Sequence, residues 1–360
     1  KSVLPATFVG RIKEWNNTQK KDLSAPPPYI ISLPNNYFRY YISKIPCYET
    51  LYKLVKCHTL QWKKVYKFAF EDGNYKMKRL YIKTQYNEVV RDADLFITGS
   101  DQIWNPYCGG FNPMMFLEFA GDKKRIAYSS SIARPCFPKE VEQRAKEDLS
   151  KFQHIAVRER ATVNMLNQLL DRNDVQQVVD PTYLLSRDEW TFFGNKAVIE
   201  FPLPEKYIFC YFIGDRIDDY KEMVEQVKKK TGINEVVTID CVGRQINYGN
   251  GILYEDGGPY EFVYLLSHAS KICMDSFHAT IFALKFGIDF VHILKSPDEN
   301  IVTSQNVRMY DLLGKYGILY KIYNGIDESW NTPVDFNKIH AQINKEVQQS
   351  LDYLRWSINN

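Results

Sequence analysis

Lys271–Gly287 reads KICMDSFHATIFALKFG, and its order of residue types decides the fold class. Lys271–Met274 is a short apolar run, as in a buried parallel strand. Asp275 or Ser276 stands where a helix N-cap belongs. From Ala279 onward Ile281, Phe282, Leu284 and Phe286 recur at helical spacing, and Gly287 ends the pattern. Strand, tight turn and helix follow one another, with His278 in the first helical turn. A helix N-terminus presents free backbone N–H groups and the positive end of the dipole. An imidazole there is placed to meet a phosphate or carboxylate and to pass it a proton. Taken alone, His278 also suits a packing role at a helix start.

The same alternation runs along much of the chain. Strands are expected at Tyr29–Leu33, Asp94–Gly99, Arg125–Ser130, Ile155–Val157, Val178–Thr182, Tyr207–Phe212, Glu235–Asp240 and Phe290–Ile293. Helices are expected at Val9–Trp15, Lys139–Phe152, from Arg160 through Leu170, and at Tyr220–Lys230, Tyr260–Ala269, Val307–Lys315 and Phe336–Trp356. Gly249–Pro259 reads as a loop, Tyr37–Cys57 as helical pieces, and Leu60–Lys78 as a solvated helix with an aromatic stripe. This predicts an α/β protein with two Rossmann-like domains on parallel sheets and a cleft between their strand ends. A chain of 360 residues is long for one core, and two domains of roughly 150–200 residues are the default.

Composition narrows the classes. Hydrophobic residues make up 45% and charged ones 25%, as in ordinary globular chains. A formal charge of +3 is too small to imply nucleic acid. The 25 Tyr, 21 Phe and 6 Trp suit flat carbohydrate surfaces and aromatic cores alike. Seven scattered cysteines, none in CxxC spacing, point to a reducing, cytoplasmic setting rather than to disulfides or zinc. No apolar run approaches the roughly 18 residues of a membrane span. P-loop, GxGxxG, metal-cluster and G-x-S-x-G signatures are missing from the sequence.

Two further groups carry possible chemistry. Asp94–Gly99 feeds the turn Gly99-Ser100-Asp101-Gln102, which puts polar groups at the carboxyl end of a strand, where open α/β sheets bind ligands. Ile155–Val157 leads into Arg158-Glu159-Arg160. An arginine fork there holds phosphate or carboxylate, or else pairs with the neighbouring glutamate.

The ordered set DLFITGSDQIWN (Asp94–Asn105), IAYSSS (Ile126–Ser131), VRE (Val157–Glu159), VDPT (Val179–Thr182), DSFHATIF (Asp275–Phe282) and VRMYDLL (Val307–Leu313) resembles the polysaccharide pyruvyl transferase family. Trp190, shortly after VDPT, belongs to the same pattern. The resemblance runs from about residue 90 to 315 and implies a GT-B-like pair of domains with the site in the interdomain cleft. It also implies a transferase that moves the pyruvyl group of phosphoenolpyruvate to hydroxyls of a sugar in a surface polysaccharide or its lipid-linked precursor. No cofactor or metal is implied, nor a nucleic-acid partner. His278 and Asp101 become the expected catalytic pair, as acid and as the group that orients or deprotonates the acceptor hydroxyl. Arg158, Arg160, Ser276, Phe277 and Ala279 are expected around the donor, and Ser100, Gln102, Trp104 and Ser130 around the acceptor.

Family members often carry glycine where Ala279 stands, and one branch carries arginine where Ser276 stands, so Ser276 cannot supply that branch's extra cation. Ser2-Val3-Leu4 reads as the remnant just after the family's N-terminal strand and Asn-Tyr-Gly turn, which would put part of the site upstream. Domains are therefore expected at residues 1–178 (acceptor side), 179–330 (donor side) and 331–360, a helix packing back on the first domain. The basic, aromatic stretch Trp62–Arg79 is a candidate for contact with the inner face of a membrane. Two other readings share the features: a GT-B nucleotide-sugar glycosyltransferase, with Glu261 at the ribose, and a non-catalytic sugar-binding protein.

Overall fold

The computed structural model describes residues 2–5, 36–42, 44–45, 77–80, 82–240, 246–248, 251–255, 257–296 and 305–360. The helix expected at Val9–Trp15, the strand at Tyr29–Leu33 and most of Trp62–Arg79 lie outside these residues. The described residues divide into two compact units. One takes the chain through Pro181 together with Val347–Asn360, and the other takes Thr182–Glu346. Among the described residues no helix is long and apolar enough to cross a membrane.

In the first unit β1 (Ser2–Pro5) pairs in parallel with β2 (Met77–Leu80); α1 (Tyr37–Ile42) lies between them in sequence and α2 (Lys83–Asp92) follows. A second parallel sheet, in the order β3-β4-β5-β6, is built from β3 (Leu95–Thr98), β4 (Lys124–Ser130), β5 (His154–Val157) and β6 (Gln176–Gln177). Helices α3 (Lys139–Leu149) and α4 (Arg160–Leu170) connect its later strands. Phe96, Phe116, Ile155, Val163 and Leu166 share the core, each contributing roughly 1.5–3 kcal/mol by leaving water.

The strand expected at Val178–Thr182 is a correction. Pairing stops after Gln177, and Pro181 opens a 3₁₀ turn. Val178 N donates once more to Val157 O at 3.0 Å, but Val179 N turns to the Ser350 hydroxyl, also at 3.0 Å. A side chain 171 residues away thus replaces the ladder.

The second unit opens with α5 (Arg187–Gly194), started by a capping box between Ser186 and Glu189. Its parallel sheet has the order β11-β10-β7-β8-β9. The elements follow as β7 (Ile208–Tyr211), α6 (Ile217–Thr231), β8 (Val236–Ile239), β9 (Ile252–Tyr254), α7 (Pro259–Ser267), β10 (Lys271–Met274), α8 (Phe277–Phe286), β11 (Phe290–His292) and α9 (Val307–Lys315). The stretch read as a loop at Gly249–Pro259 therefore contains a strand. Three apolar residues between glycines are too few to show a period. Gly251 marks the spot, since a Cβ there would lie 1.9 Å from Val236 O. The last helix, α10 (Phe336–Asn359), begins in the second unit and ends in the first.

The alternation of strands and helices thus yields two α/β units with parallel sheets, as the sequence predicts. In the second sheet the chain passes from β7 outward to β8 and β9, then returns to place β10 on the other side of β7. Such a reversal opens a crevice at the carboxyl ends of the two strands. The DSFH turn leaves β10 there.

Candidate active site

At the reversal the sequence signals hold residue for residue. Ser276 is the N-cap of α8, with φ −97° and ψ 130°, and its hydroxyl accepts from Ala279 N at 3.4 Å. Gly287 closes the helix in the left-handed region at φ 71°. Asp275, the other capping candidate, has a different task. Its buried carboxylate accepts from Ile213 N (2.8 Å), Gly214 N (2.6 Å) and the Tyr220 hydroxyl (2.8 Å). It thereby ties the loop after β7 to the turn after β10. A Cβ on Gly214 would meet the Tyr220 oxygen at 2.3 Å and Asp275 Oδ2 at 2.8 Å, so the clamp has room for glycine alone. The Lys295 Cγ lies 3.5 Å from the same point. That brings the aliphatic stem of Lys295, from beyond β11, up to the Asp275 turn.

His278 occupies the first turn of α8 and is half-buried, its ring edge-on to Phe277 at 5.6 Å. The buried Arg308, from the VRMYDLL stretch, stacks its guanidinium over Phe277 at 5.6 Å. Behind them His292 is fully buried, its Nδ1 3.1 Å from the Thr280 hydroxyl. Burial first, then Lys295 and Arg308, push its pKa down to about 3, so this imidazole is neutral. The edge of the second sheet therefore gathers a helix N-terminus, His278, Lys295 and Arg308, which together favour an anion. Phe277 and Ala279 are buried beneath it, so that Ala279 contributes its backbone N–H to the cap. Lys295 and Arg308 were missed in the sequence because neither sits in a turn with a mechanistic signature.

The first unit concentrates its motifs at the carboxyl end of β3-β4-β5-β6. Gly99 enters the turn at φ 149°, and a Cβ there would lie 1.9 Å from Tyr128 O. The Gly99–Ser100 peptide is cis. Asp101 follows in the left-handed region at φ 53°, with its carbonyl accepting from Ser131 N at 2.9 Å. Arg158, buried at the end of β5, reaches three carboxylates. Its Nε meets Glu159 at 2.9 Å and Nη1 meets Asp180 at 3.0 Å, whereas Asp101 lies at 3.4–3.5 Å from Nη2 and Nη1. Burial alone would lower the guanidinium's pKa, but Glu159, Asp180 and Asp101 outweigh it and raise it above its usual value. Glu159 also accepts from the Ser131 hydroxyl at 2.7 Å, and Ser100 Oγ lies 3.3 Å from Asp180. Four motifs quoted separately (GSD, YSSS, VRE and VDPT) thus form one polar network. Glu159 and Asp180 are its members that a search for cations and nucleophiles passes over.

Other expected contacts separate here. Arg160 is exposed at the first position of α4, and Gln102 is half-buried, accepting from Asn105 Nδ2 at 2.8 Å. Ser130 is fully buried, with its hydroxyl 3.5 Å from Thr98 O. Trp104 is corrected. At 1% exposure its indole stacks on Phe116 at 5.7 Å and donates to Met115 O, so it serves the core and presents no face to a sugar. The Glu261 carboxylate, the ribose candidate of the glycosyltransferase reading, is buried and accepts from Gly258 N at 2.7 Å as the cap of α7. Among the described residues no group of three or more His, Cys, Asp or Glu is placed to hold a metal ion.

With this geometry in view, comparison with known proteins identifies the family. A profile of the polysaccharide pyruvyl transferases matches residues 3–296. The chain belongs to the polysaccharide pyruvyl transferase family. It is accordingly a transferase with a carbohydrate acceptor. No curated protein matches it in sequence. Among solved structures it is similar to a UDP-GlcNAc 2-epimerase from Neisseria meningitidis bound to UDP-GlcNAc, at 10% identity and TM-score 0.44, covering 99% of this chain and 93% of that one. It is also similar to the UDP-GlcNAc 2-epimerase from Methanocaldococcus jannaschii, at 11% identity and TM-score 0.40, covering 75% and 73%. A third likeness is to the wall teichoic acid polymerase TagF, at 10% identity and TM-score 0.41, covering 95% and 94%.

Proposed function

We propose that this pyruvyl transferase takes phosphoenolpyruvate as donor and transfers its pyruvyl group to hydroxyls of a sugar in a surface polysaccharide or its lipid-linked precursor. The observation that carries this reading is His278 at the capped N-terminus of α8, next to the Phe277 ring on which Arg308 stacks, in a member of this family. The donor carries a phosphate and a carboxylate on one carbon. Backbone N–H groups at the start of α8 suit such an anion, and in the first unit Arg158 and Arg160 are the cations assigned to donor anions. Phe277 and Ala279 shape the helix end, and Ser276 keeps its amides aligned.

The chemistry follows from these positions. The His278 imidazolium gives a proton to the donor's methylene carbon, making it methyl and leaving C2 oxocarbenium-like. An acceptor oxygen bonds to C2 as its proton passes to Asp101. A second sugar hydroxyl then bonds to C2 as its proton returns to His278, the bond between C2 and the phosphate oxygen breaks, phosphate leaves, and a ketal results. Ser100 and Gln102 lie in the same turn as Asp101 and are assigned to the acceptor. The protein would work in the cytoplasm, where the donor is available, and needs neither nucleic acid nor a cofactor for these steps.

Calorimetric titration of phosphoenolpyruvate, with uridine diphosphate as control, tests the donor. Binding of phosphoenolpyruvate alone, weakened by Arg158→Ala, is expected. Binding of the nucleotide instead overturns the reading. With an acceptor in hand, His278→Gln is expected to lower kcat roughly 10²–10⁴-fold, the worth of a general acid.

A further inference from the structure

Two loops meet at the carboxyl end of the first unit's longer sheet. The loop after β3 carries Tyr107 and the loop after β4 carries Arg134, whose guanidinium lies over the Tyr107 ring at 4.0 Å. The neighbours of Tyr107 in sequence leave water, with Trp104, Asn105 and Phe111 at 1%, 2% and 1% exposure, whereas Tyr107 itself is 38% exposed. Its backbone is fixed nonetheless. Tyr107 N donates to Asn105 Oδ1 at 3.1 Å, Asn105 Nδ2 donates to Gln102 Oε1 at 2.8 Å, and Gly110 N donates back to Pro106 O at 2.8 Å. The ring is held as well, because the arginine covers one of its faces. What the guanidinium leaves uncovered is the opposite face and the hydroxyl edge. Scattered surface aromatics need no explanation. An aromatic clamped in backbone and ring, at the sheet edge where α/β folds bind ligands, has little freedom left to lose on binding.

We propose that the Tyr107 ring, backed by Arg134, is the platform on which one sugar ring of the acceptor rests. A pyranose has an apolar side formed by its axial C–H groups, with its hydroxyls spread around the rim. A tyrosine ring matches that side with flat apolar area while its own hydroxyl stays at the wet edge. Trp104, three residues earlier, cannot do this, since its indole is stacked in the core. The loop that presents Tyr107 also carries Asp101, the group assigned above to the acceptor hydroxyl. The platform rests on the carbohydrate acceptor of the family and not on phosphoenolpyruvate as the donor.

Saturation-transfer difference NMR reads such weak binding. The probes are the methyl glycosides of glucose, galactose, mannose, N-acetylglucosamine and N-acetylmannosamine, added to the full chain, with folding of each variant checked by circular dichroism. The wild type should bind at least one of them, with saturation strongest on the C–H protons of one face. For that glycoside Tyr107→Ala should raise Kd roughly tenfold, while Tyr107→Phe and Tyr107→Trp should stay within about threefold of wild type. Phe192→Ala removes a ring that is 72% exposed in the second unit and should leave Kd unchanged. Titrated phosphoenolpyruvate should bind Tyr107→Ala as it binds wild type. The platform is overturned if the wild type binds none of the glycosides, if Tyr107→Ala changes Kd by less than about threefold, or if Phe192→Ala loses as much. A loss in Tyr107→Phe equal to that in Tyr107→Ala assigns the contact to the hydroxyl and overturns it too. Loss of phosphoenolpyruvate binding in Tyr107→Ala does the same, because the ring then supports the donor. A wild type that binds a glycoside but no phosphoenolpyruvate overturns the donor reading and leaves the platform standing.

Discussion

A carboxylate that accepts three hydrogen bonds out of water is expensive to replace, and Asp275 is such a group. Removing it leaves the Ile213 and Gly214 amides and the Tyr220 hydroxyl without their acceptor. Asp275→Ala should therefore cost about 3 kcal/mol, read as a lower urea midpoint. The loop after β7 should also gain hydrogen exchange. His292 offers a second test at this scale. In the fold its pKa is pushed down to about 3 by burial and by Lys295 and Arg308, whereas the unfolded chain titrates near 6.5. Unfolded molecules thus bind a proton below about pH 6.5 that folded ones refuse until about pH 3. The stabilising contribution is present above 6.5 and is lost as the pH falls. Relative to His292→Gln, the wild type should lose about 1.4 kcal/mol per pH unit between pH 6 and 4.5, measured by urea unfolding. A difference that stays flat across this range would refute the assignment.

At the scale of elements, the βα unit at Lys271–Gly287 is held by local signals, and these can be tested locally. Ser276→Ala removes the cap acceptor from Ala279 N and should cost about 1 kcal/mol in thermal or urea unfolding, with Ser276→Asp retaining most of it. Strand register makes a separate prediction. Cys210 on β7 and Cys273 on β10 are in-register neighbours, both fully buried, and desolvation followed by Cys273 pushes the Cys210 thiol up. Neither should react with a thiol reagent in the native state, while the exposed Cys136 should react at once, as peptide mapping would show. These strands and helices were legible because caps, periods and stops act within a few residues. The short strand β9 and the early end of β6 were not. Three residues carry no period, and the partner that draws Val179 off the ladder is Ser350, on the last helix.

For the whole molecule, the last turns of α10 are part of the first unit. Ser350 takes the Val179 amide, Lys124 Nζ donates to Ile358 O at 3.0 Å, and Trp356 packs on His154 at 4.3 Å between ring centres. Deleting residues 347–360 should open the region 82–181 to proteolysis before residues 182–346, as mass spectrometry of timed digests would reveal. The sequence by itself determined the α/β class, the two-unit plan, the capped helix end with His278 and the family, because each depends on neighbours in the chain or on the order of motifs along it. Only the tertiary structure decided how the polar residues are used. It buried Trp104 in the core, committed Glu261 to a helix cap, stacked Arg308 on Phe277 beside His278, and set Asp101 and Asp180 around Arg158 from 57 and 22 residues away. Charge is felt through space, and separation along the chain carries no record of it until the sheets bring the strand ends together.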